Sequence, residues 1–225
     1  HYPIEFMTAL LTSEMGNTDK LVVYVDEVKR MGLTILPPDV NASVATCSVV
    51  DERILRCGLA IIKNVGMSAI ESLVAARQAH GQFRSIDSLC TYLDLRLANR
   101  KVLESLIKAG ACDSLGSSRA AMLASLDQAL EEATRRQRDR QRGQLTLFDA
   151  LRPDDSGAPS LLPPPSLPRM REWPESQKLA FEKTLLGFYV SGHPLARFEQ
   201  TLKRFATATS QQLLQLADQA PVTIG

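Results

Sequence analysis

Cysteine and histidine are scarce in this sequence, which argues against a metal centre. The 225 residues include four cysteines and three histidines, no two cysteines form a C-x-x-C pair, and no histidine cluster lies near them. A zinc site needs about four convergent ligands, so the spacing predicts none here. Buried or free thiols in a reducing cytosol are the expected state of these cysteines, which are Cys47, Cys57, Cys90 and Cys112.

Long apolar runs and a strong net charge are also absent. No run of about 18 apolar residues occurs, so we expect no transmembrane helix, and the first residues do not have the pattern of a signal peptide. The formal net charge is only +1, so binding to nucleic acid would need a local patch rather than a global field. With 44% apolar and 23% charged residues, the composition is that of a globular protein that buries a core.

The apolar periodicity predicts a mainly α-helical fold with a small sheet. Three short strands are expected at residues 34–36, 45–50 and 54–57. The other periodic segments indicate helices, some of which begin at a capping residue such as Ser85 or Asn99. The helices are expected at residues 3–15, from 18 to the glycine at 32, at 67–78, 85–92 and 99–109, from Ser117 or Ser118 to about 142, and at 175–188. The end of the long helix has no apolar side chain after residue 134, so it is expected to be solvated or frayed.

Proline marks a linker in the second half of the chain. Six of the 12 prolines lie between residues 153 and 168, so residues 152–170 are expected to be extended and flexible. The chain starts at His1, and residues 221–225 resemble the beginning of a strand. Both ends are therefore expected to be cut from a longer protein.

Residues 59–73 have the pattern of an apolar helix end, a tight glycine-bearing turn and a second helix, and they resemble the helix-hairpin-helix motif of DNA repair and replication proteins. A turn glycine lets backbone N–H groups approach a phosphate oxygen, and the next helix adds unpaired N–H donors and partial positive charge. Such a site reads the DNA backbone rather than the base sequence. A purely structural turn is the alternative. The candidate DNA-contacting residues are Lys63, Asn64, Val65, Gly66, Met67 and Ser68.

A second, longer and more degenerate hairpin is expected at residues 102–120. Paired hairpins can straddle a duplex and contact both strands, whereas the alternative is that this unit only packs against the first. The candidate DNA-contacting residues are Lys108, Gly110, Gly116, Ser118 and Arg119.

The segment before the linker resembles the bacterial sliding-clamp-binding peptide, whose pattern is Gln-Leu-x-Leu-Phe. A short extended segment of this kind inserts large apolar side chains into a preformed cleft, and glutamine supplies an amide anchor. Leu147 and Phe148 are the expected apolar anchors, unless the segment is an amphipathic strand that packs back on this domain. The candidate clamp-binding residues are Gln144, Leu145, Thr146, Leu147 and Phe148.

The order of these segments resembles the alpha subunits of bacterial DNA polymerase III, the C-family replicative polymerases. The similarity is carried by residues 1–7, 36–41, 58–66, 102–116 and 185–195. It spans essentially the whole chain, and the clamp peptide follows the tandem hairpins in that family as it does here.

The resemblance implies five parts along the chain. Residues 1–57 would end the fingers subdomain, and residues 58–142 would form a tandem helix-hairpin-helix domain. The clamp-binding peptide would occupy residues 143–151, followed by the flexible linker at 152–170. Residues 171–225 would be a helical segment leading into an oligonucleotide-binding barrel.

The resemblance also implies partners and a location. The hairpins would hold double-stranded DNA, the primer–template duplex, and the peptide would tether the polymerase to the sliding clamp. Rebinding then becomes intramolecular, which converts weak affinity into processivity. Other replicase subunits are expected partners and a membrane is not, and the implied location is the bacterial cytoplasm, at the nucleoid.

Catalysis is not expected in this chain. Nucleotidyl transfer uses carboxylates that hold two Mg²⁺ ions, and the family's catalytic aspartates lie in the palm, N-terminal to this segment. We therefore expect no catalytic residue, no metal site and no cofactor here, and Mg²⁺ in the palm of the parent DNA-directed DNA polymerase, a nucleotidyltransferase. Solvated charge is expected at the acidic pairs, which are residues 26–27, 51–52, 131–132 and 154–155.

Two other functions stay open at this point. The first is a free-standing helix-hairpin-helix DNA repair protein, which would have natural ends. The second is a protein-interaction scaffold without DNA binding, in which the hairpins only pack. Salt discriminates between them, because binding to phosphate weakens steeply as salt rises. A clean clamp peptide favours the replicative branch of the polymerase family over its error-prone relatives.

Overall fold

The computed structural model describes residues 2–141 and 170–192, together with residues 194, 195, 198, 204 and 205. The chain divides into two units, residues 1–190 and residues 191–225. In the second unit, the described residues include a turn in which the Phe198 N–H donates to the Leu195 carbonyl at 2.8 Å. All elements described below belong to the first unit.

Two helices open the first unit. Helix α1 spans Pro3–Ser13 and has its proline at the first helical position, where the missing N–H costs no hydrogen bond. Helix α2 spans Thr18–Arg30, and the Asn17 side chain caps it by accepting a hydrogen bond from the Lys20 N–H at 3.2 Å. Each helix buries one apolar stripe, as the spacing predicts: Ile4, Met7 and Leu11 in α1, and Leu21, Val25 and Val28 in α2.

A three-stranded sheet follows, as the sequence predicts. The strands are β1 (Thr34–Leu36), β2 (Ser48–Asp51) and β3 (Ile54–Arg56), in the order β1-β3-β2. Strand β3 pairs in parallel with β1 and antiparallel with β2. The central strand buries Leu55 completely. Strand β2 begins three residues later than expected, and the carbonyls of Val44 and Ala45 accept hydrogen bonds from the N–H groups of Leu59 and Ala60 at the start of the first hairpin.

Helices make up most of the remaining structure, which confirms the mainly α fold with a small sheet. They are α3 (Met67–His80), α4 (Ile86–Tyr92), α5 (Arg100–Lys108), α6 (Arg119–Gln141) and α7 (Glu175–Leu185), with short 3-10 turns at Leu59–Ile61 and Asp113–Leu115. Ser85 caps α4 and Asn99 caps α5, as expected.

The polar end of α6 is helical at least to Gln141. Two of its side chains bond the end of α4: Arg136 donates to the Thr91 hydroxyl at 3.3 Å, and Gln137 donates to the Leu93 carbonyl at 2.9 Å. These contacts explain why a stretch without apolar residues stays helical against the domain instead of fraying.

One continuous core joins the sheet to the hairpin helices, with buried residues from α1 through α7. The loop after β1 is fixed to the second hairpin by a hydrogen bond from the Val40 N–H to the Ala111 carbonyl at 2.8 Å. Arg77 on α3 donates to the carbonyls of Val40 and Ser43, both at 2.9 Å. The hydrophobic core is therefore continuous across residues 57 and 58.

No helix among the described residues is long and apolar enough to cross a membrane. The predicted clamp peptide at residues 144–148, the linker up to residue 169 and the expected strand at 221–225 lie outside the described residues.

Candidate nucleic-acid interface

The first hairpin begins with a single 3-10 turn, Leu59–Ile61, and not with the apolar helix end that the sequence predicts. The N–H groups of Leu59 and Ala60 donate to the carbonyls of Val44 and Ala45 at 2.9 and 3.1 Å, so they bond a neighbouring loop. Gly58 permits this approach, because a Cβ there would lie 2.2 Å from the Ala45 carbonyl oxygen. The first arm is thus fixed by the loop before β2.

The turn itself places its left-handed residue at Asn64, whose φ is +69°. Asparagine tolerates this conformation better than most residues, and the Asn64 amide donates to the Ser105 hydroxyl on α5 at 3.3 Å. Val65 is 9% exposed and packs into the core. Asn64 therefore supplies the backbone geometry that a second turn glycine would otherwise provide.

Gly66 lies at the start of α3 with extended backbone, φ −80° and ψ 159°. Among the described residues, a Cβ at Gly66 would meet nothing within 4 Å, so none of them fills the space in front of the turn. Within the described residues, no side chain caps α3. The Ala69 N–H of its first turn donates to the Gly66 carbonyl at 3.1 Å, so the N–H groups of Met67 and Ser68 are the ones left without an acceptor among the described residues. Lys63, Met67 and Ser68 are exposed around this opening.

In the second hairpin, the buried side chain of Arg119 is surrounded by carboxylates. Arg119 is 5% exposed, and its guanidinium donates to both carboxylate oxygens of Asp113, at 2.8 and 2.7 Å. It also lies 3.4 Å from the Glu182 carboxylate on α7. Since these carboxylates engage the guanidinium, the structure does not present Arg119 at the surface as the sequence predicts.

Lys108 and Gly110 also have structural partners. Lys108 pairs with Glu104 one turn earlier and lies over the Phe181 ring, 4.9 Å from its centre. Gly110 has φ +84°, and a Cβ there would lie 2.3 Å from Nη2 of Arg119. Both residues thus support the packing of α5 against α6 and α7.

Two side chains accept hydrogen bonds from the N–H groups at the N-terminus of α6, in contrast to α3. The Ser118 hydroxyl accepts from the Ala121 N–H at 3.1 Å. The Glu172 carboxylate accepts from the N–H groups of Arg119 and Ala120 at 2.9 and 3.2 Å. Gly116, with φ +78°, turns the chain just before the helix, and a Cβ there would meet nothing within 4 Å.

The carboxylate of Glu172 has a lowered pKa. Partial burial acts to raise it, but the hydrogen bonds from the N–H groups of Arg119, Trp173 and Ala120 stabilise the charged form and prevail, with help from the positive charge of Lys178. Glu172 is therefore ionised where it sits on the N-terminus of α6, as the helix dipole favours.

Sequence reasoning missed Asp113, Glu172 and Glu182. A signal existed for Glu182, because Leu179, Glu182 and Leu185 are spaced by three along α7 and all three are buried. An acid on an apolar stripe indicates a buried partner. Nothing local marks Glu172 as a cap of α6, because the helix N–H groups that it accepts from, those of Arg119 and Ala120, are more than fifty residues away in the chain.

Metal-ligating and acidic side chains are dispersed in the described part of the chain. No group of three or more histidines, cysteines, aspartates or glutamates there could hold a metal ion. The four cysteines are buried and free. Of the predicted acidic pairs, Glu27 bridges to Arg30 at 3.0 Å and Glu132 to Arg136 at 3.3 Å, while residues 154 and 155 lie outside the described residues.

Comparison with known proteins identifies the relatives. A family model described as a helix-hairpin-helix motif matches residues 32–122. The DNA polymerase III subunit alpha of Vibrio cholerae is 39% identical over 207 residues, which cover 92% of this chain and 17% of that protein. The same subunit from Escherichia coli strain K12 is 39% identical over 91% of this chain and 17% of its own length. That of Haemophilus influenzae is 40% identical over 96% of this chain and 18% of its own length.

The chain thus spans less than a fifth of the length of these curated relatives. These comparisons confirm the resemblance inferred from the sequence, and the chain corresponds to one segment of the alpha subunits of bacterial DNA polymerase III.

Proposed function

We propose that this chain is a non-catalytic part of a chromosomal replicase that holds the duplex DNA backbone and tethers the polymerase to its sliding clamp. The observation that carries the DNA-binding half is the first hairpin turn. There, an open glycine, an uncapped helix N-terminus and an exposed lysine come together at Gly66, α3 and Lys63.

The chemistry of that turn fits a phosphate group. Backbone N–H groups at a helix N-terminus bind anions through hydrogen bonds and the helix dipole. Gly66 leaves space for a phosphate oxygen to approach, and Val65 anchors the turn in the core so that the donors are held in place. Because these donors belong to the backbone, binding would be independent of base sequence. A DNA-binding role places the chain in the bacterial cytoplasm, at the nucleoid.

Duplex affinity of a Gly66→Val variant tests this proposal. Valine suits the extended backbone at this position, and a Cβ there would meet no atom of the described residues within 4 Å, so we expect the fold to persist while the side chain blocks phosphate. Gly16→Val is the matched control, because a Cβ at Gly16 also meets nothing within 4 Å. We expect the Gly66 variant to lose at least tenfold in affinity at low salt and the control to bind like the parent. Equal binding by both variants would assign the first hairpin to packing and favour a scaffold.

The clamp-binding half of the proposal rests on the sequence at residues 144–148. Calorimetric titration with a bacterial sliding clamp tests it, with a Leu147→Ala/Phe148→Ala variant as the comparison. Micromolar binding that disappears in the variant would support the tether. Salt separates the two activities, since an apolar peptide in a cleft responds little to salt whereas phosphate contacts weaken steeply.

In this proposal, catalysis belongs to another part of the longer polymerase. The two Mg²⁺ ions and their carboxylates would belong to the palm of the longer polymerase, and other replicase subunits would contact that longer protein. The chain alone should incorporate no nucleotide on a primed template. Measurable incorporation would overturn this part of the proposal.

A further inference from the structure

The two hairpins differ at the point where a phosphate would bind. The N-terminus of α3 has no side-chain cap within the described residues, and the glycine before it faces open space. The N-terminus of α6 already carries an anion, because the Glu172 carboxylate accepts hydrogen bonds from the N–H groups of Arg119 and Ala120. Ser118 takes the next N–H group of the same turn, that of Ala121.

We propose that Glu172 excludes DNA phosphate from the second hairpin, so that the first hairpin alone grips the duplex backbone. This inference rests on the proposed function, since it concerns how DNA contact is divided between the two hairpins. The Glu172 carboxylate and a phosphate oxygen would need the same N–H donors. Two anions close to the same donors would also repel each other.

Glu172 is well placed to keep that position. It is charged at neutral pH, for its pKa is lowered by the N–H groups of Arg119, Trp173 and Ala120 against the opposing effect of burial. Because it belongs to the same chain, it competes at a high effective concentration. A phosphate would have to displace the Glu172 carboxylate, which is already bound there.

The segment that carries Glu172 is held against the hairpins by further contacts. Glu182 on α7 pairs with the buried Arg119 at 3.4 Å. The Leu185 carbonyl at the end of α7 accepts from the Lys63 N–H in the first hairpin at 2.9 Å. Residues 172–185 therefore contact both hairpins, and Glu172 is fixed as part of that packing.

Both basic side chains within residues 102–120 are already engaged by carboxylates. The Arg119 guanidinium is engaged by Asp113 and Glu182, and Lys108 is paired with Glu104. Lys178 is close enough to influence the charge of Glu172. Removal of Glu172 would leave the N–H groups of Arg119 and Ala120 without their carboxylate acceptor, and an unoccupied helix N-terminus attracts a phosphate.

Duplex binding by Glu172→Ala, measured by fluorescence anisotropy at several salt concentrations, tests the proposal. Glu175→Ala is the matched control, because Glu175 is exposed on the same segment and its loss changes the net charge equally. We expect Glu172→Ala to bind at least fivefold more tightly than the control at low salt. The gain should shrink as the salt concentration rises, because contacts with phosphate weaken with increasing salt.

The outcomes separate this inference from the proposed function. If the parent chain binds duplex, Gly66→Val abolishes binding and Glu172→Ala matches Glu175→Ala, then only the exclusion by Glu172 is overturned. If no variant binds duplex, both proposals are overturned. Should Glu172→Ala fail to fold, Glu172→Gln decides, since it keeps a hydrogen-bond acceptor but removes the charge. A Glu172→Gln variant that binds no better than Glu175→Gln contradicts the proposal.

Discussion

Arg119 and Glu182 form a buried ion pair behind the second hairpin, with 3.4 Å between Nη1 of Arg119 and Oε1 of Glu182. The two side chains are only 6% and 2% exposed. The pair joins the start of α6 to the middle of α7, although the two residues are 63 positions apart. Glu182 also accepts a hydrogen bond from the Val190 N–H at 3.0 Å, so one carboxylate fixes both the helix and the turn after it.

Removal of this carboxylate should destabilise the protein strongly. A Glu182→Ala variant leaves the buried Arg119 with Asp113 as its remaining carboxylate partner, and we expect a loss of about 3 kcal/mol in the free energy of unfolding, at the lower end of the cost of breaking a buried pair. Urea denaturation measures the loss. Glu131→Ala on the exposed face of α6 is the control, and it should change stability by less than about 0.5 kcal/mol. Similar losses in both variants would show that the buried pair contributes little.

Two glycines of the second hairpin should differ sharply in their tolerance of alanine. Both have left-handed backbone, Gly110 at φ +84° and Gly116 at φ +78°, but only at Gly110 would a Cβ collide with Arg119, at 2.3 Å from Nη2. Gly116→Ala should therefore cost about 1–2 kcal/mol for the backbone conformation alone. Gly110→Ala should cost a further ~1–3 kcal/mol for the overpacked guanidinium. Thermal unfolding compares the two, and equal midpoints would contradict the close packing at Gly110.

Among the four thiols, Cys47 should react first with iodoacetamide. A hydrogen bond from the neighbouring Cys57 lowers the pKa of Cys47 to about 7 despite the opposing effect of burial, and the thiolate is the nucleophile. Burial raises the pKa of Cys90 to about 12, and that of Cys112 is raised further for the same reason. Peptide mapping by mass spectrometry should find Cys47 alkylated earliest, at a rate that rises with pH up to about 7. Earlier labelling of Cys112 would contradict this order.

The sequence predicts the elements of this fold better than the roles of its charged side chains. Caps at Asn17, Ser85 and Asn99 are local signals, because each side chain bonds an N–H group three residues later. Arg119, in contrast, looks like a surface cation at the start of a helix. Only the tertiary contacts with α7 make it a buried one.

The same distinction holds at the two hairpin turns. The open first turn follows from residues that are adjacent in the chain, among which Val65 is buried and anchors the turn. The occupied second turn depends on Glu172, which arrives after some fifty intervening residues. A spacing rule within one hairpin cannot represent such a contact, which is why the sequence predicts DNA-contacting residues at both hairpins, whereas in the structure a carboxylate occupies the helix N-terminus of the second.

Lowering the pH should weaken the interaction between the Glu172 carboxylate and the N-terminal N–H groups of α6. The pKa of Glu172 is lowered below its usual value of 4.5, so its contribution to stability is fully present above about pH 4.5 and is lost as the pH falls through the lowered value. The difference in unfolding free energy between the parent chain and Glu172→Gln should therefore shrink as the pH is lowered from about 6 to about 3. Carboxylates that both proteins share, such as Glu104 and Asp127, cancel in this difference. Urea denaturation at each pH measures it, and a difference that stays constant across this range would mean that the ionised carboxylate of Glu172 does not stabilise the N-terminus of α6.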